Sequence, residues 1–332
     1  MLRYAGYLAS LGHEVTIISP RTEVECNIPA GVKLQLFKPM PGRCVGRSCQ
    51  LVYLPRVARC LRAGFDVVIP VHTPLAVHAV FAKRLYRLNF RLVLLYQDFF
   101  KMPWVGRYIR WVIARKWLAN ALDETIAVSE GSAREFRSAS KVLPKVIPNG
   151  IEDVFFVARR PAKGRYVLFV GRPLEGKGFF VFAKAMRRVV EEVADMKGIL
   201  VSTGVDDGML GAIQTVRFRS KEQLRDLYAE ALVYAHAAVG ESFGLPPLEA
   251  MAAGTATVLT KTVGTDDYAR DQHNCLASSF GDSEALARNI IRLIQDDNLR
   301  HRLEENGRET AARFKWEHSL KQFEAEITRA NT

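Results

Sequence analysis

Glu241 and Glu249 stand with seven residues between them in the stretch Gly240 to Gly254, GESFGLPPLEAMAAG, which holds two carboxylates, three glycines and two prolines. An ionised carboxylate only accepts hydrogen bonds, so a pair of them suits a polyhydroxylated ligand. Between them Ser242, Phe243, Gly244 and Leu245 lead into a helix started by Pro246 and Pro247, because proline fits the first helical turn. Main-chain amides at that N-terminus form a cradle for anionic or oxygen-rich groups, and Gly244 lets a ligand approach the backbone closely. A simpler reading makes Glu249 a first-turn acid that complements the helix dipole.

A second group of chemistry-bearing residues lies in Gly171-Arg172-Pro173-Leu174-Glu175-Gly176-Lys177-Gly178, after an expected strand (Arg165 to Val170) and before an expected helix (Phe179 to Val193). The run approaches the P-loop pattern, but Gly178 occupies the place of the magnesium-binding hydroxyl, which argues against a P-loop nucleoside triphosphatase. Two cations beside a helix N-terminus can instead neutralise a diphosphate without a metal. The plainer alternative leaves Arg172 and Lys177 as surface charges.

Residue by residue, Gly240 to Gly254 resembles the nucleotide-sugar-binding motif of retaining glycosyltransferases with the GT-B fold, specifically family 4. Arg172 and Lys177 match that family's G-R-x-x-x-x-K-G pattern, and the resemblance covers nearly the whole chain, most strongly from Asp123 onward. It implies two doubly wound Rossmann-like α/β domains facing across a cleft, residues 1–150 on the acceptor side and 151–332 holding the donor, with the last helix crossing back. The implied reaction moves a sugar from a nucleoside diphosphate sugar to a hydroxyl of a glycan, lipid-linked or other acceptor, with retention, without an essential metal and without a further cofactor.

The same resemblance implies that Arg172 and Lys177 hold the diphosphate, that Glu249 binds the ribose, and that Glu241 with the amides of Phe243 to Leu245 holds the sugar. Gly171, Gly204 and Ser242 complete the expected donor site. Leaving phosphate takes the acceptor proton in such enzymes, so the catalytic assignment falls on Glu241, Arg172 and Lys177. One departure concerns the exit of the strand Arg91 to Tyr96: the family often has a His-Asp pair there, whereas this chain has Gln97-Asp98, and Gln cannot become cationic. His72 lies in another strand exit, where it could touch phosphate or sugar or be an ordinary loop histidine. A GT-B-type nucleotide-sugar epimerase and an inactive nucleotide-sugar-binding or partner subunit are the competing readings.

These residues need two supporting cores, and 332 residues with 48% hydrophobic side chains suffice for two domains. The net charge of +12 is unevenly placed: Met1 to Gly150 carries 22 Lys and Arg against 9 Asp and Glu, and the remainder 25 against 26. A basic first half beside a neutral second half suggests a negative partner, such as an anionic membrane surface or a phosphorylated or acidic acceptor; no RNA-binding signature accompanies it. Trp104, Arg107, Tyr108, Arg110, Trp111, Arg115, Lys116 and Trp117 suit a helix at a membrane interface, or a partly buried helix with a solvated basic face. No apolar run is long enough to span a bilayer and no secretory signal is legible, so the expected place is the cytoplasm, with peripheral association at the inner face of the membrane. Cys26, Cys44, Cys49, Cys60 and Cys275 have neither paired spacing nor nearby histidines, which favours free thiols over a disulfide framework or a zinc site.

Along the chain, Leu2 to Leu11 has helical spacing and Glu14 to Ser19 reads as the strand after it; the family's preceding strand and glycine-rich loop do not appear before them. The first domain is thus expected to be N-terminally short. Val32 to Phe37, Asp66 to Val71 and Glu124 to Ser129 read as further strands, and Val146 to Gly150 as the hinge. In the second half Lys197 to Gly204, Ala231 to Ala238, Ala256 to Thr260 and Asn274 to Ser278 are strand candidates. Asp206-Asp207 and Asp266-Asp267 read as turns rather than metal ligands.

Overall fold

The computed structural model describes residues 1–20, 27–37, 54–97, 116–157, 164–173 and 175–329. The chain divides into two compact units, Met1–Ile147 with Ser319–Thr332, and Pro148–His318.

In the first unit, α1 (Leu2–Ser10) leads to β1 (Val15–Pro20), which pairs in parallel with β2 (Val32–Phe37). A separate four-stranded parallel sheet runs β3 (Val67–Val68), β4 (Arg91–Tyr96), β5 (Glu124–Ala127) and β6 (Lys145–Val146). Strand β4 reads as an unbroken apolar run because it is covered on both faces, as parallel strands are; Leu92 to Tyr96 are all buried. Helices α2 (Leu54–Leu61), α3 (Thr73–Leu85) and α4 (Glu130–Ser140) belong to the same unit. Ser129 caps α4 by accepting from the Ser132 amide, and Lys141 ends it in the left-handed conformation. Lys145 and Val146 form an edge strand against Ile126 and Ala127, so the segment read as a hinge begins inside the sheet. Its apolar Val146 packs against the core, which the flanking prolines obscured in the sequence.

The second unit is built on one seven-stranded sheet in the order β13-β12-β11-β7-β8-β10-β9. Its strands are β7 (Tyr166–Val170), β8 (Lys197–Ser202), β9 (Gly208–Leu210), β10 (Ile213–Arg217), β11 (Val233–His236), β12 (Ala256–Thr260) and β13 (Leu276–Ser278). All pairings are parallel except β9 with β10. Helices α5 (Phe179–Glu192), α6 (Lys221–Glu230), α7 (Leu245–Ala252), α8 (Ser283–Gln295) and α9 (Asp297–Ala312) accompany it. The core joins Phe169, Phe179 and Phe182 to Val233, Val258, Leu286 and Ile290.

Helix α10 (Trp316–Thr328) starts in the second unit, and its residues from Ser319 belong to the first. There Phe323 stacks on Tyr4 at 4.1 Å between ring centroids, Arg91 Nη1 donates to the carbonyls of Glu326 and Ile327, and Lys145 pairs with the buried Glu326 carboxylate. Among the described residues no helix is long and apolar enough to cross a membrane, and Cys60 and Cys275 are buried free thiols.

Candidate functional site

From β7 the chain builds outward through β8 and β10; from β11 it builds the opposite way through β12 and β13. Strand order therefore reverses between β7 and β11, which are direct neighbours in register Val233↔Val167 and Tyr234↔Leu168. In open parallel sheets ligands bind outside the carboxyl ends of the strands at such a reversal. Both motifs leave from that point: Gly171 to Gly178 follows β7, and Ala237 to Gly244 follows β11.

The two loops touch. The Val239 amide donates to the Gly176 carbonyl at 3.2 Å. Gly178 has φ +76°, and a Cβ there would lie 1.8 Å from the Ala237 carbonyl oxygen, so only glycine fits both the backbone conformation and the space. This contact brings Lys177 Nζ to 2.7 Å from Glu241 Oε1. His236, the last residue of β11, places Nε2 3.8 Å from the same oxygen, within ion-pair reach but beyond hydrogen-bond length. Burial opposes charge on Glu241, but the neighbouring His236 and Lys177 outweigh it and hold its carboxyl below the ordinary range.

Glu249 has the opposite environment. Helix α7 begins at Leu245, capped by Gly244 in the left-handed conformation, so Glu249 lies in the second turn. The expectation of a first-turn acid is corrected: the helix opens at Leu245, one residue ahead of the prolines, which makes Glu249 its fifth residue and carries it past the first turn. Its Oε2 accepts from the Tyr228 hydroxyl at 3.2 Å. Desolvation dominates there; with Glu152 nearby, and against the Tyr228 hydrogen bond and Lys221, it pushes the Glu249 pKa up to about 7.

The strand-to-helix loop is held from beneath. Tyr268 donates to the Gly244 carbonyl at 2.6 Å, and Phe243 is buried against Tyr268 and Phe314. The Gly264 amide donates to the Glu241 carbonyl at 2.9 Å, and a Cβ on Gly264 would fall 2.3 Å from the Phe243 nitrogen. Thr262 and Thr265 bond to each other at the start of the short helical turn Thr265–Asp267. Ser242 and Leu245 are half-buried on this scaffold.

Arg172 is exposed on the same loop as Lys177, and the Gly171 amide donates to the Val201 carbonyl. Gly204 is exposed beyond β8, its amide bonded to Ser202 Oγ. Asp206 and Asp207 pair with Arg217 and Arg219 across the β9–β10 hairpin. His72 is the exposed N-cap of α3, and Gln97 follows β4 half-buried; both belong to the first unit. Asp98, and the interfacial candidates from Trp104 to Arg115, lie outside the described residues; residues 116–119 are helical. Sequence reading passed over two side chains. Tyr234 and His236 alternate along β11 inside a run read only as a buried apolar strand, and their shared face beneath the two carboxylates is the period-2 signal that identifies them.

Two family descriptions match this chain: Glycosyl transferases group 1 over residues 150–310 and Glycosyltransferase Family 4 over residues 1–154. A D-inositol 3-phosphate glycosyltransferase of Corynebacterium urealyticum is 31% identical over 180 residues, 49% of this chain and 42% of the relative. A phosphatidyl-myo-inositol mannosyltransferase of Mycobacterium leprae is 29% identical over 228 residues, 64% of this chain and 57% of the relative. The chain thus spans about half the length of such curated relatives. Among solved structures, sucrose-phosphate synthase from Thermosynechococcus elongatus superposes with TM-score 0.82 at 20% identity, covering 98% of this chain and 90% of that one. Anabaena HepE, solved with UDP-glucose, gives TM-score 0.72 at 20% identity over 90% of this chain and 86% of that one.

Proposed function

The chain belongs to the family 4 glycosyltransferases of the GT-B fold, and from that membership we propose that it is a retaining, metal-independent glycosyltransferase using a nucleoside diphosphate sugar. The observation that carries the reading is the meeting of Lys177 and Glu241 at the strand-order reversal, with Glu249 on the helix into which the same loop leads. Lys177 and Arg172 supply positive charge for the diphosphate and stabilise it as a leaving group. Glu249 accepts from the ribose hydroxyls. Glu241 and the backbone from Phe243 to Leu245 hold the sugar, and the departing phosphate takes the acceptor proton on the same face.

The first unit supplies the acceptor side, and His72, Gln97 and Asp98 are its candidate contacts. Its basic excess suits an acceptor with negative charge, as do relatives named for inositol 3-phosphate and phosphatidyl-myo-inositol. Peripheral attachment to the cytoplasmic membrane face fits the same chemistry. On α3, Phe81 and Leu85 are exposed at 44% and 69%, Phe81 lies 5.5 Å from the Trp117 ring, and Arg84 sits over that ring at 5.1 Å. Aromatic and aliphatic groups interleaved with arginine suit the headgroup layer of anionic lipid.

The test is a panel of nucleotide sugars with phosphorylated and lipid-linked hydroxyl acceptors, assayed with and without EDTA, with the anomeric configuration of the product read by NMR. An α-product from an α-linked donor, unaffected by EDTA, is expected. Epimerised donor without transfer, or donor binding without any turnover, rejects the assignment.

A further inference from the structure

Resting on the donor-site reading above, we propose that His236 is a positioning residue that takes hold of Glu241 when Lys177 turns to the donor diphosphate. Two groups meet on one carboxylate oxygen: Lys177 Nζ at 2.7 Å and His236 Nε2 at 3.8 Å both face Glu241 Oε1. Lys177 is the more exposed partner, its side chain 38% exposed, whereas Glu241 is 17% exposed and His236 only 4%. Among the described residues neither ring nitrogen of His236 has a hydrogen-bond partner, an uncommon state for so buried an imidazole. His236 closes β11, and its backbone carbonyl accepts from Thr260 Oγ1.

A diphosphate brought to Lys177 places two anions around one ammonium. Glu241 then either keeps the lysine, at the expense of the phosphate, or finds another donor. His236 is the group in place. An imidazole donates through Nε2–H without needing a net charge, and a movement of about 1 Å converts 3.8 Å into an ordinary hydrogen bond. The exchange leaves Lys177 to the phosphate and keeps the Glu241 carboxylate oriented for the sugar. Thr260 and the Gly176–Val239 contact hold the two loops while it occurs.

The experiment measures binding of uridine diphosphate and guanosine diphosphate by calorimetry to wild type, His236→Leu, His236→Gln, Glu241→Gln and the double variant His236→Leu/Glu241→Gln. Weaker binding by about tenfold is expected for His236→Leu, because Glu241 retains the lysine. His236→Gln keeps an N–H donor and is expected within threefold of wild type. The double variant is expected within threefold of Glu241→Gln alone, since no carboxylate then competes for Lys177, and a general packing defect would not be relieved this way. If His236→Leu does not fold, His236→Met carries the same comparison. Wild-type affinity in His236→Leu, or a tenfold loss that persists in the double variant, overturns the proposal. Failure of wild type to bind either diphosphate overturns the donor-site reading, and the exchange with it.

Discussion

At the scale of single residues, the two carboxylates differ in environment and so in their response to change. Glu241 is held as a carboxylate between Lys177 and His236. Glu241→Ala is expected to lower sugar transfer by about 100-fold or more with the fold intact; near-wild-type turnover, with circular dichroism unchanged, would remove Glu241 from the site. Glu249 is held up at about 7, above its ordinary value near 4.5. Between those pH values the folded chain holds a proton that the unfolded chain has released, so stability falls as pH rises through that window and the loss is complete above about 7. Glu249→Gln is expected to flatten this dependence and to raise stability at pH 8 by up to roughly 3 kcal/mol. Chemical denaturation at pH 4.5, 6 and 8 checks it, and a parallel decline in both proteins rejects it. The same variant is expected to bind nucleotide less tightly, because a carboxamide accepts fewer ribose hydrogen bonds.

At the scale of elements, strands that fill a parallel sheet were legible because their runs are mostly apolar or β-branched: Arg91–Tyr96 and Ala256–Thr260 emerge with the bounds that the sequence assigns. Boundaries set by contacts were not. The run Ala231 to Ala238 yields a strand only over Val233–His236, because Ala237 already packs on Gly178. The three exposed residues of β9 carry no hydrophobic pattern, and their hairpin is fixed by Asp207 and Asp206 meeting Arg219 and Arg217. The glycines that let the loops approach are the sharpest test at this scale. Gly178→Ala meets both a positive φ and a backbone carbonyl, and is expected to cost about 2 kcal/mol or more, lowering Tm by about 5 °C and weakening nucleotide binding. Gly176→Ala, with open space around its Cβ position, is the control expected to stay close to wild type. Equal Tm values for the two would discount the contact.

At the scale of the whole molecule, the charge excess of residues 1–150 and the exposed Phe81 and Leu85 make a common prediction about surfaces. Binding to vesicles containing phosphatidylserine is expected to weaken as salt rises from 50 to 300 mM, since counterions screen the arginines and lysines. Phe81→Ser with Leu85→Ser is expected to reduce that binding severalfold while transfer to a water-soluble acceptor is retained. Vesicle sedimentation reads the first quantity; undiminished binding by the double variant would move any membrane contact away from α3.

The sequence by itself determined which groups are available and in what order: a Glu, seven residues and a Glu spanning the entry to a helix, and an Arg and a Lys in a glycine-rich turn. Those are local spacings, and local backbone geometry suffices to place them at the ends of strands. Only the tertiary structure decided that Lys177 and Glu241, 64 residues apart, form one ion pair, because that depends on β7 and β11 being neighbours where the strand order reverses. It also decided the states of the groups around them. Glu249 moved into the second turn and under Tyr228, and His236 emerged from an apolar strand to face Glu241. Burial and charge proximity arise from every element packed around a side chain, and no spacing along the chain encodes them.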